Sequence, residues 1–182
     1  MLMLKNKGFQ VFNFIPLKKS DIPLLTDWFK QPHVAQWWEA ESKQTLLKKI
    51  QSDWLQAFIV ELNNQPIGYI QCYDACKEGS GWLDQPEGTW GIDQFIGEPD
   101  CIGKGYGTQM IKEFVEMMFN GSRVKPRMTK NVFENTKITR IITDPKPNNA
   151  RAIRCYEKVG FKKVGLTQTP DGTVELMVLT KF

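Results

Sequence analysis

The order of apolar patterns along this chain, strand, helices, strands, helix, strand, helix, strands, predicts an α+β fold of mixed α/β layers. Two further observations support that class. At 182 residues, 41% hydrophobic and 24% charged, the chain has the size and composition of a single globular domain, 1–182, with enough apolar residues for a packed core. A glycine run, Gly103-Lys104-Gly105-Tyr106-Gly107-Thr108, also falls between a strand and the most regular helical pattern, where a chain turns its backbone amides toward an anion.

Each element has its own signal. Phe9 to Leu17 reads as a strand, and Ser20-Asp21 offers an N-cap for a helix carried by Ile22, Leu25, Trp28 and Phe29 and ending near Pro32. Leu46, Leu47, Ile50 and Trp54 recur at helical spacing, which predicts another helix within Trp37 to Trp54. Ala57 to Leu62 and Pro66 to Tyr73 flank Asn63-Asn64-Gln65, and asparagine tolerates a left-handed backbone, so the two runs are expected to form a hairpin. A loop rich in Gly, Ser, Asp and Pro, 77–88, leads into a strand at Thr89 to Ile96. From Tyr106 to Phe119 the positions Met110, Ile111, Phe114, Val115, Met117 and Met118 mark one helix face, and Asn120-Gly121 supplies a stop. Residues 121–137 hold five basic residues and little periodicity, the pattern of a surface loop. Ile138 to Thr143 is a strand, and Asn148 to Val159 a helix halted by Gly160. Phe161 to Thr169 and Val174 to Leu179 close the chain as a hairpin about Pro170-Asp171-Gly172-Thr173.

Composition narrows the function classes. No stretch approaches 18 apolar residues, and Met1 to Phe14 is broken by Lys5, Asn6, Lys7 and Gln10, so neither a membrane span nor a signal peptide is expected and the chain reads as cytoplasmic. Cys72, Cys76, Cys101 and Cys155 lack CxxC spacing and histidine company, which argues for free thiols and against a zinc site or a disulfide framework. The net charge of +4 is small, but it is unevenly spread. Between Asp74 and Asp100 lie seven acids against the single Lys77, whereas Cys101 to Lys163 holds fourteen Lys and Arg against five acids. One half suits a cation and the other an anion, unless both are ordinary solvated faces. A nucleic-acid partner is not expected, because the basic half does not interleave aromatic residues as a base-stacking platform requires.

In the glycine run, residues at alternate positions let the main chain approach a pyrophosphate, and the dipole of the following helix adds partial positive charge. A Walker loop is excluded because Lys104 is followed by Gly105, and a dinucleotide fingerprint because the run is GxGxG. Taken alone, it fits a tightly packed turn as well as a phosphate site. A second stretch carries Asn149, Ala152, Tyr156, Gly160 and Phe161 at the spacing Asn-x-x-Ala-x-x-x-Tyr-x-x-x-Gly-Phe. Together the two resemble the cofactor motifs of the GNAT acetyltransferases. That family usually opens its loop with Gln or Arg where this chain has Ile102. The resemblance implies a central, mostly antiparallel twisted sheet flanked by helices, with acetyl-CoA as acetyl donor at a splayed strand pair and at Gly103 to Thr108, Asn149 and Tyr156. No metal is implied.

Further segments are similar to the aminoglycoside 6'-N-acetyltransferases of that superfamily: Gln31 to Trp38, Gly68 to Tyr73, Gly91 to Gln94, Thr143 to Asn148 and Thr169 to Gly172. This likeness implies a polycationic amine as acceptor, probed by carboxylates for its charges and aromatic faces for its rings. Asp93, Asp144 and Asp171 are the candidate carboxylates, Trp37, Trp38, Tyr73 and Trp82 the walls, and Gln71 a partner for a hydroxyl. Each has a plainer reading: the Trp pair as core, Asp171 as a turn residue, Asp144 as a cap before Pro145. Asp93 is harder to dismiss, because an unpaired charge inside the apolar run Trp90 to Ile96 is costly. The relatives carry Asp-Gly-Trp where this chain has Ser80-Gly81-Trp82.

The expected reaction is direct transfer in a ternary complex, with Asp93 as base, backbone N–H groups of Gln94, Phe95 and Ile96 polarising the thioester carbonyl, and Tyr156 as acid to the leaving thiolate. Covalent transfer through cysteine needs a Cys and His pair, and His33, the only histidine, is distant in sequence from every cysteine. Two alternatives stay open: acetylation of another amine, such as a siderophore amine, a polyamine or a protein N-terminus, and a non-catalytic coenzyme A-binding module. Monomer and homodimer are not distinguished.

Overall fold

The computed structural model describes residues 11–77, 79–82, 85–121, 133 and 136–181. Seven strands form one mixed sheet: β1 (Phe12–Pro16), β2 (Leu55–Leu62), β3 (Gln65–Asp74), β4 (Thr89–Ile96), β5 (Arg140–Thr143), β6 (Lys162–Thr169) and β7 (Gly172–Thr180). Their spatial order is β1-β2-β3-β4-β5-β7-β6. Neighbours are antiparallel throughout except β4 and β5, which run parallel. Asn63 and Asn64 take the left-handed backbone that the β2–β3 turn demands, with φ of 52° and 67°.

Helices cover both faces. α1 (Ile22–Phe29), α2 (Pro32–Ala35) and α3 (Lys43–Gln51) lie on one side, and α4 (Tyr106–Asn120) and α5 (Ala150–Val159) on the other. Because successive side chains of a strand point to opposite faces, Tyr69 and Tyr73 join Leu25, Trp28 and Leu46 on the first side, while Ile70, Cys72 and Ile92 meet Met110, Phe114 and Tyr156 on the second. Phe114 carries much of that second core, its ring 5.0 Å from that of Phe14 and 5.6 Å from that of Phe58. Truncating such a fully buried Phe to Ala costs about 3–5 kcal/mol. α4 ends at Gly121 and α5 at Gly160, both left-handed C-caps.

Several expectations need correction. The helix expected within Trp37 to Trp54 is only α3, because Ser42 accepts a hydrogen bond from the Thr45 N–H and so starts the helix there. The first helix does end near Pro32, at Phe29, but Pro32 has a second part. It opens α2, where its missing N–H is harmless at the first turn. Asp21 caps a short 3-10 turn, Lys19–Asp21, by accepting from the Lys18 N–H, and makes no side-chain cap bond to α1. The last hairpin turns on two residues, Pro170-Asp171, with Thr169 paired to Gly172. Most of 121–137, with Phe9 and Gln10, lies outside the described residues, but Phe133 is no surface residue. It is buried against Trp90 and Phe114 at ring distances of 5.9 and 6.3 Å.

Candidate active site

β4 stays paired to β3 as far as Ile96, but it pairs with β5 only over Thr89–Gly91 and Arg140–Ile142. Beyond that point the two strands part. Asp93 to Ile96 on one side and Thr143 and Asp144 on the other line a cleft of about 1240 Å³ that runs from the glycine turn to the tryptophans after α2.

The glycine turn is open. Gly103 and Gly105 have φ of 77° and 83°, the left-handed region that favours glycine, and Gly105 is the N-cap of α4. A Cβ added at Gly103, Gly105 or Gly107 would meet nothing within 4 Å, so these glycines are not there to relieve packing. Gly103, Gly105, Tyr106, Gly107 and Thr108 line the cleft, whereas Lys104 does not and is exposed. Asn149 also lines it, yet its side chain is used to cap α5, accepting from the Ala152 N–H at 3.1 Å.

The other end is acidic and aromatic. Gln71 Nε2 donates to Asp93 Oδ2 at 2.8 Å, across the β3–β4 pair that sets these residues side by side. Burial pushes the Asp93 carboxyl up, the Gln71 amide and Lys49 ammonium pull it down, and the charges of Glu41 and Asp171 push it up again; the net direction is upward. Asp144, just beyond β5, is pushed up to about 7 by burial and by the nearby charges of Asp93 and Asp171. Asp171 comes in from the exposed turn between β6 and β7. Trp82 Nε1 donates to the Tyr73 hydroxyl at 3.2 Å, and the Tyr73 ring lies over Gly91, where any Cβ would come within 2.2 Å of it. Ser80 folds its own loop: its hydroxyl donates to Ala75 O at 3.0 Å and accepts from the Trp82 N–H at 3.2 Å.

Asp93 and Tyr156 reach this cleft from opposite faces of β4. Asp93 bonds on the α1–α3 side, and Gln94, the next residue, donates through Nε2 to the Tyr156 hydroxyl at 2.7 Å on the α4–α5 side. The parting of β5 lets both come to one gap. Burial drives the Tyr156 phenol well above its ordinary pKa, with the Asp93 and Asp144 charges adding to it, while hydrogen bonds from Thr143 and Gln94 oppose.

All eight residues expected for the acceptor (Trp37, Trp38, Gln71, Tyr73, Trp82, Asp93, Asp144 and Asp171) line the cleft. Among the lining residues to which the sequence reading gave no role are Glu41, Lys49 and His33. Lys49 had a signal, for it stands three residues after Leu46 on the buried face of α3. His33 donates from Nε2 to the Ile96 carbonyl at 3.0 Å, a contact across 63 positions that no local pattern announces. Among the described residues no group of His, Cys, Asp and Glu is arranged to hold a metal, and no helix is long and apolar enough to cross a membrane.

A mixed sheet of seven strands split between β4 and β5, with a glycine turn heading α4, is the architecture of an acetyltransferase. The family model described as the acetyltransferase (GNAT) domain matches residues 18–127 and 120–169, and the chain belongs to that family. It is 35% identical over 176 residues to an aminoglycoside N(6')-acetyltransferase type 1 of Klebsiella pneumoniae, covering 91% of this chain and 81% of that protein. A kanamycin resistance protein of Rhizobium radiobacter is 39% identical over 106 residues, 58% of this chain and 85% of that one. The crystal structure of the aminoglycoside acetyltransferase AAC(6')-Ib in complex with coenzyme A and kanamycin superposes with a TM-score of 0.78 at 32% identity, covering 94% of this chain and 95% of that one.

Proposed function

We propose that this chain transfers acetyl from acetyl-CoA to the 6'-amine of aminoglycosides, in the cytoplasm, by direct attack within a ternary complex. The carrying observation is the meeting of two unlike surfaces in one cleft: an uncrowded turn of main-chain N–H groups, and a hollow of three carboxylates walled by tryptophan. Kinship with the aminoglycoside acetyltransferases supports the choice of acceptor.

A pyrophosphate needs several N–H donors and room for its oxygens. Gly103, Gly105 and Gly107 supply both, with the α4 dipole behind them. The bound donor supplies an acetyl group as a thioester. An aminoglycoside arrives as a sugar scaffold carrying ammonium groups, and a lysine-like amine has a pKa of about 10, so the acceptor nitrogen must lose a proton to react. Asp93 takes that proton, while Asp144 and Asp171 hold neighbouring ammonium groups. Those cations offset the burial and the carboxylate repulsion that together push Asp144 up to about 7, so acceptor binding releases a proton from it.

Main-chain N–H groups between Gln94 and Ile96, beyond the last pairing of β4 with β5, polarise the acetyl carbonyl. As the nitrogen bonds to the carbonyl carbon, the carbon–sulfur bond breaks, sulfur leaves with the electron pair, and the second proton of the nitrogen ends on sulfur. Tyr156 accepts from Gln94 and keeps its own O–H free to donate. Burial raises its pKa far above the ~8.5 of an ordinary thiol, so in place of the full proton donation expected from the sequence we assign it a hydrogen bond that steadies the thiolate.

Thiol release from acetyl-CoA tests the reading, with aminoglycosides bearing a 6'-amine, others bearing a 6'-hydroxyl, and simple diamines as acceptors. Turnover is expected with the first group. Turnover of diamines alone would move the acceptor to another amine, and no thiol release with any amine would reduce the chain to a coenzyme A binder.

A further inference from the structure

Beneath the acidic hollow runs a line of polar side chains that the reaction above does not use. The Lys49 ammonium donates to Glu41 Oε1 at 2.7 Å and to Gln71 Oε1 at 2.8 Å. The pair is sheltered, with the Lys49 and Glu41 side chains only 17% and 14% exposed. Trp38 holds it in place: its Nε1 donates to Glu41 Oε1 at 3.1 Å, and its ring centroid lies 5.9 Å from Lys49 Nζ. Gln71 is buried, and its Oε1 also accepts from the Tyr69 hydroxyl at 2.8 Å.

A carboxamide has two ends of nearly equal shape and opposite hydrogen-bonding character, so its partners decide which way it points. Lysine has three donors and no acceptor. If the Gln71 amide turned over, its NH₂ would face the Lys49 ammonium and its oxygen would face the Asp93 carboxylate. Two good bonds would become two repulsions inside a poorly solvated site. Lys49 therefore forbids the flip, and Glu41 keeps Lys49 where it can do so.

We infer that Lys49, anchored by Glu41, is a positioning residue that locks the Gln71 amide with its N–H toward Asp93 and so sets how readily Asp93 accepts the substrate proton. This rests on Asp93 being the base, as proposed above. Charge adds to geometry. Lys49 favours the ionised Asp93, whereas Glu41 and Asp171 disfavour it. Asp144 from the end of β5, Tyr69, Cys72 and Tyr73 from β3, and Tyr156 from α5 also sit within reach of the Asp93 charge. Lys49 is the cation acting on Asp93 in this group.

The two members of the ion pair should therefore act on the acid limb of the kcat/KM profile in opposite directions, which a merely structural pair would not do. Lys49→Met keeps the length and the packing on Trp38, and Glu41→Gln keeps the shape and an amide oxygen that still accepts from Lys49, so the anchor stays while the negative charge goes. With an aminoglycoside bearing a 6'-amine, the ratio of Lys49→Met to wild-type kcat/KM is expected to be lowest on the acid limb and to recover roughly threefold or more on the plateau above it. For Glu41→Gln the ratio should instead fall from the acid limb to the plateau. Melting curves on both variants confirm that the fold persists. Losses by one factor at every pH, or limbs that move the same way, overturn the inference. Asp93→Asn separates it from the reading beneath: an acid limb that survives in that variant removes Asp93 as base, whereas a limb lost there but unmoved in the other two removes only the Lys49 role.

Discussion

The two sides of β4 are built on different principles. On the α4–α5 side the proposed pyrophosphate site is main chain, contiguous in sequence, and shaped by left-handed glycines and a helix N-terminus. On the α1–α3 side the proposed acceptor site is made of side chains drawn from α2 and its following tryptophans, α3, β3, β4, the end of β5 and the β6–β7 turn. The first is a geometry and the second an electrostatic balance. Backbone geometry should fail through conformation, and the charge cluster through protonation.

The sharpest way to separate them is Asp93→Asn. It should lower kcat/KM about 100-fold or more at pH 7 while leaving coenzyme A binding by calorimetry unchanged, and weakened coenzyme A binding would show that the two sides are not independent. Tyr156→Phe, at the meeting point, should lower kcat by tens of fold with little change in the KM for acetyl-CoA, as expected for a lost hydrogen bond to developing negative charge. An unchanged rate would take Tyr156 out of the chemistry. Gly105→Val forces a β-branched residue into φ of 83°, at a cost of roughly 1–2 kcal/mol in the turn, and should weaken coenzyme A binding about tenfold. Its kcat at saturating cofactor should stay near wild type if the glycine turn only grips the donor.

The smallest effect is on stability and belongs to the acidic side alone. Asp144 is pushed up to about 7 when folded, against ~3.9 when unfolded, so the folded state holds the proton more tightly. The stabilisation is complete below about pH 4 and is lost as pH rises through about 7. The Tm of the ligand-free protein should fall by a few degrees over that interval, and Asp144→Asn should flatten the slope. An unchanged slope in the variant would mean that Asp144 is not held protonated by the fold.

The same contrast explains what could be read in advance. The glycine turn, the Asn149 to Phe161 motif and the helix of Met110 to Met118 are local patterns, and β4 was legible residue for residue because its apolar run is bounded by turn residues. The expected acceptor residues do come together, but resemblance located them, since the pairing of Gln71 with Asp93 depends on a register that no local pattern records. Lys49 was missed because a lysine on a helix is ordinarily solvated, and only its place beside Leu46 on the buried face marks it. The apolar spacing of Leu46, Leu47 and Ile50 marked α3 within Trp37 to Trp54 but not where it begins, which Ser42 decides by capping it. Phe133 was hidden among basic residues, where a single aromatic has no period to betray it.

With β4 and β5 held together over three residue pairs, the sheet is two plates: one of four strands, β1 to β4, and one of three, β5, β7 and β6. The join between them is the weakest line of the sheet, and the cleft lies along it. A molecule seated there touches both plates at once and acts as a clasp. Occupancy should therefore make the two plates come apart together, so that amide protection on β5 rises toward that of β2 and β3 when the cleft is filled.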